Sequence, residues 1–272
     1  MAGSEDVYTI GSEAPVEPDL IQPPDVPADT PVTVAVEDLY VIYKITAGGR
    51  QVTRRDRAAM KRGRVQDVVA LKGVSFSLYH GQTVGVVGGN GSGKSTSLRA
   101  IGGLTPAASG RIYTNSQAAL LGVHSALLPG LSGRENIELG CLAMGLTPRD
   151  IEERYQGIVE FSGLEQFIDL PMNTYSSGMG ARLRFAISTA ARPKIMMVDE
   201  ALAVGDTKFR EKSRARIEEM RGDAGTVILV SHNMADITDM CSRAIWIDRG
   251  RLRADGPADV VVEMYQAQQR RG

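Results

Sequence analysis

Gly88-Gly89-Asn90-Gly91-Ser92-Gly93-Lys94-Ser95-Thr96 is the stretch that decides the fold. An apolar run, Thr83-Val84-Gly85-Val86-Val87, precedes it, and Ser97-Leu98-Arg99-Ala100-Ile101 follows. That order predicts a strand, a glycine-rich loop and a helix, the context in which a loop can cradle phosphate. Gly88, Gly93, Lys94 and Ser95 fit the spacing G-x-x-x-x-G-K-[ST]. Glycines let successive backbone N–H groups curl around phosphate oxygens where a side chain would block the approach. The positive end of the following helix adds to that field. Lys94 has the length to reach β- and γ-phosphates, and the Ser95 hydroxyl is placed to bind Mg²⁺. A chance glycine turn would lack the flanking strand and helix. The stretch reads as a nucleotide site.

The bulk composition narrows the class. At 272 residues the chain suits one large domain, or a core with a smaller subdomain. Hydrophobic residues make up 43 % and charged residues 23 %, as in globular proteins generally. A net charge of −1 gives no support to a nucleic-acid partner. Cys141 and Cys241 stand far apart, without metal-ligand or C-x-x-C spacing, and read as buried thiols in a reducing compartment. The amino end lacks the basic start and apolar core of a signal peptide. No stretch approaches the ~18 apolar residues of a membrane span, so a membrane role is expected to need another chain.

Residues 1–32 carry seven acids, no Lys or Arg, and six of the twelve prolines, which predicts a disordered acidic tail. From Val32 to Tyr43 the alternation predicts a strand. A basic interruption follows, with Arg50, Arg54, Arg55, Arg57, Lys61, Arg62 and Arg64 against Asp56 alone. It reads either as a solvated loop, with two helical turns over 54–61, or as a surface facing anionic headgroups or a pyrophosphate-bearing cargo. Val68–Leu78 and Gln82–Val87 are predicted strands joined at His80-Gly81, and Arg111–Leu121 holds further short ones. Between 134 and 190 the period becomes helical, at Glu135–Met144, Pro148–Phe161 and Leu164–Ile168, predicting an insertion in an α/β core. Strands resume at Ile195–Val198, Thr226–Val230 and Arg243–Ile247, with helices at Lys208–Arg221 and Met234–Cys241 between them. A final helix to Gln269 follows Asp255-Gly256-Pro257.

Two further stretches carry chemistry. Lys194-Ile195-Met196-Met197-Val198-Asp199-Glu200 is an apolar strand ending in acids, which is how a phosphate-loop enzyme delivers a carboxylate to Mg²⁺. Asp199 is expected to hold the metal and Glu200 to polarise the attacking water as general base. Tyr175-Ser176-Ser177-Gly178-Met179 opens Gly180-Ala181-Arg182-Leu183-Arg184-Phe185, a helix whose first residues offer a hydroxyl and N–H groups to phosphate.

That third stretch resembles the signature of ATP-binding cassette (ABC) ATPases, in the Tyr-Ser-Ser-Gly-Met variant similar to subunits of O-antigen, teichoic acid and cell-wall galactan exporters. The resemblance covers about residues 33–265. It implies an α/β P-loop NTPase core with an antiparallel β subdomain and a helical subdomain over about 134–190, and it leaves 266–272 as a tail. It further implies that Tyr43 stacks on adenine, that Asp206 is the D-loop aspartate, and that His232 in Val230-Ser231-His232 contacts the γ-phosphate. Gly88 through Thr96 would bind ATP–Mg²⁺, while Ser176, Ser177, Gly178 and Met179 would face the ATP of a partner subunit. A homodimer of ATPase subunits follows. So does a separate transmembrane permease, reached through the helical insertion and residues 123–135, where Leu131-Ser132-Gly133-Arg134-Glu135-Asn136 resembles the exporter branch. In that branch an inserted helix in the position of residues 50–64 lies near the channel mouth. The cargo implied is a lipid-pyrophosphate-linked polysaccharide, handled at the cytoplasmic face of the plasma membrane. The Arg- and Ala-rich composition suggests a GC-rich bacterium and a galactan. The alternatives are a subunit of another ABC transporter and a soluble ABC ATPase without a membrane partner. Two residues depart from the common pattern. No glutamine stands in Val123–Pro129 where a Q-loop is expected, Gln117 being too early and His124 a weak substitute, and Ser177 replaces a signature glycine.

Overall fold

In the computed structural model of the chain, β4 (Gln82–Val87) lies at the centre of the larger sheet, with five of its six residues buried. The structure describes residues 18–21, 26–27, 29–46, 65–121, 127–199, 206–223 and 225–271. β4 is flanked by β8 (Thr226–Val230) and β9 (Arg243–Asp248), and β7 (Ile195–Asp199) and β6 (Ala118–Leu121) continue beyond β8. All four pairings among these five strands are parallel. Strands covered on both faces read as unbroken apolar runs, and Thr226-Val-Ile-Leu-Val230 is buried throughout. On the other side β10 (Arg251–Pro257) runs antiparallel to β9, and β1 (Leu20–Ile21) pairs with β10 in parallel. The second sheet is antiparallel, β2 (Val32–Thr46) lying between β3 (Val65–Tyr79) and β5 (Ser109–Thr114).

α1 (Lys94–Ile101) follows the glycine loop and packs between the two sheets, against β2, β3, β5, β6 and β7. The insertion holds α2 (Gly133–Ala143), α3 (Pro148–Ser162) and α4 (Ser177–Ala190). Capping boxes start the first two, Ser132 with Glu135 and Thr147 with Asp150, each satisfying orphan N–H groups at both ends of the box. Hydrogen bonds from the Ser132 hydroxyl and N–H hold the Glu135 carboxyl below its ordinary range. Gly163, at φ 63°, ends α3 in the left-handed conformation. Three phenylalanines weld the insertion to the core. Phe161 stacks on Phe185 at 5.8 Å, and Phe209 of α5 (Thr207–Asp223) meets both edge-on at 5.6 and 5.9 Å. α6 (Met234–Met240) and α7 (Ala258–Arg271) complete the elements.

A buried ion pair ties the strands around β4. Arg243 on β9 donates from Nε and Nη2 to Asp255 of β10 at 2.6 and 2.7 Å, both side chains 7 % exposed. Its Nη1 reaches Ser77 O at 2.9 Å and Gln82 Oε1 at 3.2 Å. One guanidinium therefore joins β3, β4, β9 and β10.

Three expectations change. The acidic segment is not wholly a solvated tail. Asp19 N–H donates to Arg253 O at 2.7 Å, its carboxylate pairs with Arg253 at 2.6 Å, and β1 follows. β1 pairs with Ala254 and Asp255 at the edge that β10 presents. Leu164–Ile168 forms turns and no helix, five residues being too few to repay helix nucleation. The carboxyl end is one helix through Arg271, so 266–271 belongs to α7, its Gln, Ala and Arg residues all being good helix formers. The basic segment 50–64 lies outside the described residues.

Candidate nucleotide-binding and hydrolysis site

Three parallel strands deliver their carboxyl ends to one rim. β4 ends at Val87 and passes into the glycine loop, β7 ends at Asp199, and β8 ends at Val230 before Ser231-His232. Val230 is in register with Val86 on one side and with Asp199 on the other. The Asp199 backbone is thus level with the start of the loop and two strands away, about 10 Å at ordinary strand spacing. Open α/β sheets bind ligands in such a crevice.

The loop is held from behind. Gly88, at φ 148°, lies against the carbonyl of Ile247, so a β-carbon there would collide with backbone. Gly93, at φ 112°, has Leu71 Cδ2 at 2.7 Å and Ala70 O at 2.9 Å from where a β-carbon would stand. Gly250 N–H donates to Ser92 O at 2.8 Å and Lys72 N–H to Gly250 O at 2.8 Å, bracing the loop with the β9–β10 turn. Arg249 at φ 47° and Gly250 at φ 82° both take the positive φ of a two-residue hairpin. That brace is a part of the site that sequence reasoning missed. No turn was expected at Arg249-Gly250, and its contact with Ser92 is not local. Gly93→Ala is expected to cost about 1–3 kcal/mol of stability and to weaken nucleotide binding. Chemical denaturation and titration of a fluorescent ATP analogue check this.

The front of the loop presents donors. The first intrahelical bond of α1 runs from Ser97 N–H to Gly93 O at 2.8 Å, so the N–H groups of Ser95 and Thr96 precede the helix's internal ladder. Lys94 is 6 % exposed and its Nζ donates to Gly88 O at 2.8 Å and Gly89 O at 3.0 Å, folding the ammonium over the cradle. Ser92 is 4 % exposed and its hydroxyl lacks a protein partner, an orphan of the kind a phosphate oxygen satisfies. Asn90 and Gly91 form the exposed tip and Gly89 is half-buried. The Tyr43 hydroxyl lies 3.5 Å from Thr96 Oγ1, and its ring packs on the core beneath α1. The exposed Ser95 hydroxyl and the Asp199 carboxylate are hard oxygen donors of the type Mg²⁺ takes.

The remaining residues are distributed as follows. His232 is exposed after β8, and the Ser231 hydroxyl beside it bonds Asn233 N–H at 3.1 Å. Asp206 caps α5, accepting from Phe209 N–H at 2.8 Å. Ser176 caps α4, its hydroxyl accepting from Met179 N–H at 3.2 Å. Ser177 and Gly178 N–H groups have no acceptor in that helix, whose first internal bond is Gly180 N–H to Ser176 O. α4 packs against α2, α3 and β6. The structure thus brings Tyr43, Gly88–Thr96, Asp199 and His232 to one rim, and leaves Ser176–Met179 on the insertion. Glu200, Ala203–Gly205 and Val123–Ala126, with His124, lie outside the described residues.

Comparison with known proteins adds kinship to this geometry. A family profile described as ABC transporter matches residues 71–203. An O-antigen export system ATP-binding protein RfbB of Klebsiella pneumoniae is 36 % identical over 229 residues, covering 84 % of this chain and 93 % of that protein. The chain belongs to the ABC transporter family of ATP-binding proteins. Teichoic acids export ATP-binding proteins TagH are also similar, at 41 % identity over 201 residues in Lactococcus lactis and 39 % over 201 in Shouchella clausii. These alignments take in 74 % of this chain and 43 % and 56 % of theirs, so the chain spans about half the length of those relatives. Among solved structures, an ATP-binding subunit of an ABC transporter superposes with a TM-score of 0.68 at 22 % identity, covering 86 % of this chain and 93 % of that one. A dimeric ATP-binding cassette bound to ADP and Pi in a post-hydrolysis state superposes at 0.66 and 21 %, covering 83 % and 98 %. The fold is therefore the α/β fold of ABC cassettes, with its antiparallel sheet and its helical insertion.

Proposed function

We propose that this ABC protein is the ATP-hydrolysing subunit of an exporter that moves a lipid-pyrophosphate-linked polysaccharide across the plasma membrane. The observation that carries the ATPase part is the separation of two phosphate-directed helix starts. Lys94–Thr96 sits on the core rim, and Ser176–Gly178 sits on the insertion. One copy holds ATP in its glycine loop, and the signature turn of a second copy completes the site. ATP closes this homodimer and hydrolysis opens it.

Within that site each residue has a task. Tyr43 stacks on adenine. Lys94 leaves its two loop carbonyls for the β- and γ-phosphates, and the N–H groups of the loop hold phosphate oxygens. Ser95 and Asp199 hold Mg²⁺, which when bound neutralises charge on the phosphates. Glu200 accepts a proton from the attacking water, and His232 contacts the γ-phosphate. Asp206 meets the partner subunit.

The polysaccharide cargo is supported by similarity to proteins named for O-antigen and teichoic acid export. A separate permease is the membrane-spanning partner, and the ATPase works at the cytoplasmic face. No described helix is long and apolar enough to cross a membrane. The insertion through which the permease would be reached carries a groove of about 350 Å³ between α2 and α3, lined by Arg134, Leu142, Ile151, Glu152 and Tyr155 among others. A cell-wall galactan is the specific glycan we favour.

Depletion of the protein in its host, followed by profiling of lipid-linked glycans, tests the cargo. One full-length polymer should accumulate on its lipid carrier, and its composition names the glycan. Normal surface glycan without accumulation overturns the polysaccharide reading. Purification with nucleic acid in place of a membrane protein overturns the exporter reading.

A further inference from the structure

The stretch entering α2 runs beside the stretch that leads to the signature serine. Asn173 N–H donates to Pro129 O at 2.8 Å, and Met172 N–H donates to Leu131 O at 2.9 Å. Ser132 bridges Pro171 in antiparallel fashion. Gly133 N–H then reaches Leu170 O at 3.3 Å, and Arg134 N–H reaches Ile168 O at 2.9 Å. Arg134 Nε adds an ion pair to Asp169 at 2.7 Å. Tyr175, the neighbour of Ser176, donates its phenol to Phe167 O at 2.7 Å. Residues 129–134 and 167–175 thus form a strap with hydrogen bonds along its length. Displacing one side displaces the turn that carries Ser176.

A single side chain fastens the first side of this strap to α2. Asn136 is 0 % exposed. Its Oδ1 accepts from Leu128 N–H at 2.7 Å, and its Nδ2 lies 3.1, 3.2 and 2.9 Å from the carbonyls of Leu128, Leu131 and Ser132. An amide engaged at both ends and closed from water fixes these carbonyls at one geometry, because releasing one leaves buried polar groups unsatisfied. The adjacent core position is Ile137, also 0 % exposed. Packing alone would be served by a second apolar residue, and Asn136 instead spends its polar groups on the loop.

We propose that Asn136 is a positioning residue for ATP hydrolysis, holding Leu128–Ser132 on α2 and thereby setting where Ser176–Gly178 meets the γ-phosphate in the other copy. The inference rests on the shared site argued above. Asn136 touches no nucleotide, so its effect falls on dimer closure and turnover and spares ATP capture by the glycine loop.

The full chain carrying Asn136→Asp or Asn136→Ser tests this, with Thr33→Val as a comparison. Thr33 is a buried hydroxyl bonded to Leu78 O at 3.1 Å and Thr226 at 2.6 Å, remote from the strap. Three quantities are measured: affinity for a fluorescent ATP analogue, turnover, and ATP-driven dimerisation in a Glu200→Gln background. Both Asn136 variants should bind the analogue as the parent does, while turnover and dimerisation fall about 10- to 100-fold, as when reacting groups are misplaced from a distance. Thr33→Val should lower Tm without that loss. Asn136 variants that dimerise like the parent, or lose dimerisation only as far as Thr33→Val does at equal Tm, overturn the proposal. Variants of both kinds that lose nucleotide affinity or fail to fold also overturn it, since Asn136 would then serve the fold as a whole. A parent that binds ATP and never dimerises refutes the shared site itself, and the inference falls with it.

Discussion

Glu200→Gln is expected to bind ATP and stay closed as a dimer, with turnover reduced about 10²- to 10⁴-fold, the contribution of a positioned general base. Glu200 directly follows Asp199, the last residue of β7, whose backbone is level with the start of the glycine loop through Val230. A glutamine keeps the size and polarity of the side chain and removes its capacity to take a proton. In the site we propose, substrate capture depends on Lys94 and the loop N–H groups, which the change leaves alone. Light scattering after gel filtration with ATP should show a stable dimer, and a phosphate-release assay should show little product. If the variant hydrolyses ATP at the parental rate, the base is another group. Lys94→Ala separates the two functions by losing the nucleotide instead of trapping it.

The second large effect is on stability. Asp255→Ala is expected to cost about 3–5 kcal/mol, because it strands a buried guanidinium without its partner. Arg243 would keep its bonds to Ser77 O and Gln82, yet the bidentate carboxylate that neutralises it would be gone. Gln82 begins β4, so loosening here also loosens the strand that presents the glycine loop. The double change Arg243→Met with Asp255→Leu should recover much of the loss, since a buried pair replaced by packed apolar groups is often neutral. Urea unfolding of the two variants checks both statements. A double variant no more stable than Asp255→Ala would show that the pair holds the strands by something other than its charge balance.

The parts legible in the sequence are those whose cause is local. Thr83–Val87 followed by Gly88–Thr96 is a strand, a loop and a helix start because of residues within a dozen positions of one another. Ser176 before a helix is equally readable, since a cap acts within its own turn. What was missed depends on partners far along the chain. β1 exists through pairing of Leu20–Ile21 with Ala254–Asp255, and nothing in Leu20-Ile21 announces it amid acids and prolines. No turn was expected at Arg249-Gly250, and its role as a brace needs Ser92 and Lys72. In the sequence Asn136 reads only as the end of Leu131–Asn136, for its resemblance to the exporter branch. Only the surrounding carbonyls of Leu128, Leu131 and Ser132 give it a task. Leu164–Ile168 misled for the opposite reason: its composition suits a helix, but the chain there turns back to reach α2.

The seven-stranded sheet begins and ends in its two shortest members, β1 with two residues and β6 with four. A rim that offers so few unpaired backbone groups is a poor template for another chain. A second copy that tried to continue the larger sheet through β1 or β6 would find only two or four residues to pair with. Open-ended stacking, the hazard of flat β-proteins at high concentration, gains little from those two strands. Association is left to the loops at the strand ends and to the helices, where it can be made and undone without disturbing a single rung of the ladder.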